Sequence, residues 1–164
     1  MNTFNFTFVR NPYNRMMSLF GYLKNIRFVK RNKGEDCTFE QFINDVINPN
    51  GTTAYNSFRK EDWSITQYDY CYNKSGKKKM DFIGKYENLQ EDFKVLMDKF
   101  GINPEEYNLP HIYSGHMKLK SYVNHPMFYE FILMVNKLYP KDFDIFGYKK
   151  IKTKEQLEIF REKI

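Results

Sequence analysis

Residues 3–20 read TFNFTFVRNPYNRMMSLF, and the change of hydrophobic period within this stretch decides the fold class. From Thr3 to Val9 the residues are β-rich and Phe4, Phe6 and Phe8 alternate, which predicts a strand. Arg10 follows at once. Asn11 is a helix-capping residue type, and Pro12 suits a first helical position, where its missing N–H costs nothing. Met16, Leu19, Phe20, Leu23 and Ile26 then recur at helical spacing, so a helix is expected from about Pro12 to Val29. In an open α/β sheet, ligands bind at the carboxyl ends of strands. A helix N-terminus offers unpaired N–H groups and partial positive charge to an anion. Arg10 adds a planar fork able to hold two phosphate oxygens. Arg15 adds a second cation, and Ser18, two turns into the helix, can turn its hydroxyl to the same cleft. The alternative is an ordinary strand–helix junction with a surface arginine.

Working outward, the charged run Lys30–Asp36 reads as a turn, and Phe39, Phe42, Ile43, Val46 and Ile47 mark a second helix stopped at Asn48-Pro49-Asn50-Gly51. The Tyr- and Asn-rich stretch from Thr52 to Lys79 is expected to be irregular surface with a helical turn at most. Met80–Tyr86 (MDFIGKY) predicts another strand. Asn88 and Glu91 have the spacing of a capping-box variant opening a helix whose face is Leu89, Phe93, Leu96, Met97 and Phe100, closed by Gly101. A loop is expected from Asn103 to Lys120, and then a helix opened near Pro126 with Phe128, Phe131, Ile132, Val135 and Leu138 inward. Pro140 starts a further turn closed by Gly147, and Lys154–Lys163 reads as a last polar helix. With no linker visible, residues 1–164 are expected to form one domain.

Composition fits that expectation. Roughly a quarter of the 164 residues are Leu, Ile, Val or Phe, above the roughly 20% below which disorder is the default. No run approaches the ~18 apolar residues of a membrane span, and no secretory signal is visible. The net charge of +6 favours anionic partners without choosing among them. Nucleic acid is disfavoured as one, because the aromatics fall mostly on apolar helix faces, and Lys77-Lys78-Lys79 reads as a solvated turn. Cys37 and Cys71 lack CxxC spacing and read as two thiols rather than a disulfide. His111, His116 and His125 lack the spacing of a metal site, so no metal is expected. The N-x-S/T triplets at Asn5, Asn50 and Asn73 do not establish secretion in so Asn-rich a chain.

The block FVRNPYNRMMSLF, Phe8–Phe20, resembles the 3′-phosphate-binding motif of sulfotransferases that use 3′-phosphoadenosine 5′-phosphosulfate. It is most similar to the carbohydrate branch that includes the heparan sulfate 2-O-type enzymes, sulfotransferase family 2. DFIGKYENLQEDFKVLMDKFGI (Asp81–Ile102) is similar to that branch's strand–Glu–helix segment, and LPHIYSG with LYPKDFDIFGY, ending at Tyr148, to its C-terminal block. The resemblance implies a P-loop NTPase-like α/β fold with a short parallel sheet in predominantly helical surroundings. It also implies the phosphosulfate nucleotide as co-substrate, no metal, and a carbohydrate or glycan acceptor. Arg10 and Ser18 match the pair holding the 3′-phosphate, and Arg15 matches a family arginine of structural or binding role. Lys118 and Lys120, with His111, Ser114 and His116, lie in the loop that approaches the nucleotide in the family. Gly84-Lys85-Tyr86-Glu87 matches a segment near the cleft, with Glu87 expected as a structural partner for a cation. Apart from the resemblance, Arg59, Lys60, Trp63 and Tyr68 are candidates for an acceptor cleft with Trp63 the stacking surface; the default alternative is a buried structural Trp63.

In the family a strand and a PK-x-G-x-x-S type turn precede the Arg/Ser block and cradle the phosphosulfate, and the acceptor-activating base is usually supplied there too. Met1 stands almost directly before the Arg/Ser strand, so the resemblance implies an N-terminally truncated domain with no catalytic residue assigned. Three accounts follow: a fragment of a longer gene product, an inactive sulfotransferase-like binding protein that retains the 3′-phosphate half-site, or replacement of the lost groups by another chain or by His111 or His116. Eukaryotic relatives are commonly Golgi type II membrane proteins; these residues carry no anchor, and no location or oligomeric state is expected from them.

Overall fold

The computed structural model describes residues 3–31, 38–47, 65–103, 109 and 118–163. In chain order its elements are β1 (Phe6–Val9), α1 (Pro12–Arg31), α2 (Phe39–Ile47), α3 (Gln67–Cys71), β2 (Phe82–Lys85), α4 (Leu89–Lys99), α5 (Phe128–Leu138), α6 (Pro140–Phe146) and α7 (Lys154–Arg161), with 3-10 turns at Tyr86–Asn88 and Leu119–Ser121. The fold is α/β: among the described residues a two-stranded parallel sheet stands in mainly helical surroundings. The chain divides into two compact units, Met1–Asn11 with Gln67–Ser114, and Pro12–Thr66 with Gly115–Ile164.

In the first unit β1 and β2 pair in parallel with Phe6 opposite Phe82, Thr7 opposite Ile83, Phe8 opposite Gly84 and Val9 opposite Lys85. A parallel pair cannot be closed by a tight turn, so much of the chain is threaded between the two strands. Gly84 is set by contact: a β-carbon there would lie 2.5 Å from the Phe8 ring and 3.1 Å from Asp92 Cβ. The strand passes into α4 through the Tyr86–Asn88 turn, and the Asp92 carboxylate reaches back to accept the Lys85 N–H. Leu96 is fully buried, and Gly101, at φ 67°, ends the helix in the left-handed region that glycine tolerates. The five-residue α3 leads into a tight turn in which Asn73 Oδ1 accepts from Ser75 N, Ser75 Oγ and Lys77 N, closed by a bridge between Tyr72 and Lys78.

The second unit holds the larger core. Tyr13, Met16, Met17 and Phe20 of α1 are buried with Phe39, Phe42, Ile43 and Val46 of α2 and Phe128, Phe131, Ile132 and Val135 of α5. Phe20 lies 5.4 Å from Phe39 and 5.0 Å from Phe42, and Phe39 lies 5.3 Å from Phe131, so one aromatic cluster joins three helices. Aromatic pairs at such spacing add ~0.5–1.5 kcal/mol each beyond simple burial. A polar knot sits within this core. The Tyr13 hydroxyl donates to Asn136 Oδ1 (2.6 Å) and accepts the Ile151 N–H (2.8 Å), while Asn136 Nδ2 donates to the Ile151 carbonyl (2.7 Å). Burial raises the Tyr13 hydroxyl pKa to about 12, against the lowering effect of its hydrogen bonds to Ile151 and Asn136.

Several sequence expectations change in detail. The first strand covers Phe6–Val9 rather than 3–9, because its partner begins only at Phe82; Asn5 still contributes its carbonyl to the Asp81 and Phe82 N–H groups. The second strand is likewise shorter than 80–86. Helix α1 extends to Arg31. The Asn88–Glu91 capping box is absent: Asn88 makes no side-chain cap bond, since the chain already coils through the turn before it. The capping box lies instead at α2, where Thr38 N–H donates to Gln41 Oε1 and Gln41 N–H donates to Thr38 Oγ1. Ile47 and Phe100, expected on apolar faces, are half exposed at their helix ends. Cys71 is buried, while Cys37 falls outside the described residues.

Candidate functional site

The strand–helix junction is held by groups distant in sequence. Beyond Val9 the ladder has no further strand residue to pair with, yet the next residue is bonded as though it did. The Arg10 N–H donates to Gln67 Oε1 (2.7 Å), and Gln67 Nε2 donates back to the Arg10 carbonyl (2.8 Å). Gln67, at the first position of α3, is 8% exposed. The next N–H, that of Asn11, donates to Glu87 Oε1 (2.7 Å). Glu87 thus serves the junction's backbone.

The side chain of Arg10 is fixed as well. Its guanidinium carbon lies 4.6 Å from the centroid of the Tyr86 ring, a cation–π contact worth ~0.5–1 kcal/mol at an exposed site. The contact takes up the face of the Tyr86 ring and leaves guanidinium N–H groups for other acceptors. Among the described residues those groups donate to no side chain or carbonyl. Arg10 is partly buried. A rigid backbone, a stacked guanidinium and uncommitted donors together suit an oxyanion.

The remaining candidates divide. Arg15 and Ser18 lie one turn apart on α1 and share a helix face. Ser18 is partly buried, and no described residue hydrogen-bonds its hydroxyl. Arg15 is engaged by its own surroundings: Nη2 donates to the Ile65 carbonyl (2.9 Å), and the guanidinium carbon lies 5.1 Å from the Tyr139 ring. Its Nη1 is buried without a hydrogen-bond partner among the described residues. Burial raises the Tyr139 hydroxyl pKa to about 12, with the Arg15 charge pulling the other way. Lys118 and Lys120 are exposed on and beside the Leu119–Ser121 turn. Arg59, Lys60, Trp63, His111, Ser114 and His116 fall outside the described residues. Tyr68 does not present both faces to a ligand, because one is stacked on Tyr72 (4.8 Å, 8°).

Gln67 was invisible to sequence reasoning. It sits in the stretch read as irregular surface, and a side chain imitating a strand rung leaves no periodic signal. His125 is tied down rather than poised: its Nδ1 accepts the Met127 N–H, and its Nε2 lies 3.3 Å from Glu40. A cavity of about 430 Å³ between α2 and α5 is lined by Val46, Ile47, Leu133 and Met134 among others, and by none of the candidate residues. Among the described residues no group of three or more His, Cys, Asp or Glu could hold a metal, and no helix is long and apolar enough to cross a membrane.

Compared with known proteins, the chain matches the family model described as the sulfotransferase family over residues 1–149. No curated protein and no solved structure matches it.

Proposed function

The chain belongs to the sulfotransferase family, and from that premise we propose that it binds 3′-phosphoadenosine 5′-phosphosulfate and transfers the sulfuryl group to a hydroxyl of a carbohydrate acceptor. In the transfer the acceptor oxygen bonds to sulfur and the bond from sulfur to the 5′-phosphate oxygen breaks. The hydroxyl proton goes to a base, and adenosine 3′,5′-bisphosphate leaves.

In this reading Arg10 grips the 3′-phosphate through its guanidinium N–H groups, and Ser18 is the hydroxyl that the family motif assigns to the same phosphate. Arg15 presents a buried Nη1 that has no partner among the described residues and that an anion would satisfy. Lys118 and Lys120 add long-range attraction for a polyanionic nucleotide from their exposed turn. These residues bind and orient; none of them is offered as the base. A positioned base typically contributes ~10²–10⁴ in rate, so nucleotide binding is a separate property from turnover.

The single supporting observation is the state of Arg10: fixed main chain, ring-stacked guanidinium, donors with no described partner. Calorimetry with adenosine 3′,5′-bisphosphate on wild type and Arg10→Ala tests it. Removal of a charged hydrogen-bonding group is expected to weaken binding by ~1.5–3 kcal/mol. Equal affinities for the two proteins would remove Arg10 from the site.

A further inference from the structure

We propose that Gln67 is a positioning residue for the anion site, acting through the main chain of Arg10. The inference rests on the assignment of Arg10 as the fork for the nucleotide's 3′-phosphate. A primary amide carries one acceptor and one donor side by side, the same pair that a neighbouring strand presents to a peptide unit. Gln67 supplies that pair to both Arg10 backbone groups, across 57 positions of sequence, just where the β1–β2 ladder ends at Val9 and Lys85. The side chain of Gln67 therefore extends the sheet by one rung at Arg10.

The neighbouring contacts show what the rung is for. Glu87 takes the Asn11 N–H, so three consecutive backbone groups, Arg10 N–H, Arg10 C=O and Asn11 N–H, are held by side chains. Tyr86 then holds the guanidinium. With its main chain pinned, Arg10 leaves the strand in one direction and meets that ring. An arginine ordered in advance loses less conformational freedom on gripping an anion than one that must be ordered by it. Gln67 is 8% exposed and is committed to Arg10 through both its polar atoms, so its part is to aim the fork rather than to touch the nucleotide.

The test compares the full chain with Gln67→Met, which keeps the length of the side chain and removes both bonds. Calorimetry measures affinity for adenosine 3′,5′-bisphosphate and for adenosine 5′-monophosphate, which lacks the 3′-phosphate. Wild type is expected to prefer the bisphosphate. Gln67→Met is expected to lose about tenfold of that preference, the scale of one to two hydrogen bonds, while holding the monophosphate as before. General loosening would weaken both ligands alike, and that outcome overturns the positioning role. A wild type indifferent to the 3′-phosphate overturns the assignment of Arg10 and the role of Gln67 with it. A wild type that discriminates, beside a Gln67→Met protein that discriminates equally well, overturns the role of Gln67 alone. Should Gln67→Met fail to fold, amide hydrogen exchange in the nucleotide-free wild type decides. Protection at Arg10 supports the preformed rung, and exchange at the rate of open chain refutes it.

Discussion

Phe8 and Gly84 face each other across the parallel ladder so closely that a β-carbon at Gly84 would lie 2.5 Å from the Phe8 ring. The ring fills the space that a side chain at Gly84 would occupy, and Asp92 closes the far side at 3.1 Å. Gly84→Ala is therefore expected to destabilise the protein by ~1–3 kcal/mol, the usual scale of overpacking, seen as a lower midpoint in denaturant unfolding. An unchanged midpoint would mean that the Phe8 ring swings aside without cost.

Tyr13 offers a second test of packing. Replacing it with Phe removes the hydroxyl that serves both Asn136 and the Ile151 N–H and leaves two partners unpaired in a buried place. A loss of ~1–3 kcal/mol per stranded group is expected, read as a fall in the thermal midpoint. Asn136 keeps its bond to the Ile151 carbonyl, so the loss falls at the lower end if that bond alone maintains the knot.

Alkaline stability follows from the same tyrosine and from Tyr139. Both hydroxyls ionise near 12 in the folded chain, from an ordinary value of 10.0, chiefly because burial disfavours the phenolate. In the unfolded chain they lose protons first. Their contribution is thus intact below pH ~10 and is lost as the pH climbs towards ~12, up to roughly 2–3 kcal/mol for each residue. Near-ultraviolet titration is expected to show Tyr13 and Tyr139 ionising only at the alkaline extreme or together with unfolding, and Tyr13→Phe to remove one of those late steps. Because the Arg15 charge lowers the Tyr139 value, Arg15→Ala should push that ionisation higher still.

Ser18 and Arg15 should separate under substitution. Ser18 has no hydrogen-bond partner among the described residues, so Ser18→Ala is expected to leave the thermal midpoint unchanged and to lower adenosine 3′,5′-bisphosphate affinity by ~0.5–1.5 kcal/mol. Arg15→Ala should lower the midpoint itself, since it removes the bond to Ile65 and the contact with Tyr139. The paired measurement, calorimetry beside thermal unfolding, would refute this division if Arg15→Ala proved as stable as wild type.

Local periodicity made much of this fold legible. The alternating phenylalanines of β1, the Asn-Pro opening of α1, and the apolar faces of α2 and α5 each repeat within a few residues. Gly101 and Gly147 announced helix ends that the structure places at φ 67° and 70°. Capping was read less well: Asn88 had the spacing but follows the turn at Tyr86–Asn88 and makes no cap bond, whereas Thr153, in extended chain, accepts the Gln156 N–H. In the candidate site the motif residues Arg10, Arg15 and Ser18 could be named, and Tyr86 and Glu87 as a segment near the cleft, but the contacts that hold Arg10 could not. Gln67, Glu87 and Tyr86 act through partners 57 and 76 positions away, from Gln67 to Arg10 and from Glu87 to Asn11, or through ring contact. Tyr13 likewise looked like one more helical residue until Ile151, 138 positions on, supplied its partner.

The pairing of Val9 with Lys85 also guards against a mispaired sheet. If β1 slid by one position, Arg10 would come abreast of Lys85, and two cations would crowd the strand ends without the tyrosine ring to screen them. The same slide would bring Phe8 opposite Ile83, where a branched side chain stands in place of the hollow at Gly84. Like charges directly opposite are unfavourable, and a one-residue slip turns every side chain to the other face. Among the described residues the sheet is two strands wide, and charge and shape at its ends can therefore reject the wrong alignment while the chain is still assembling.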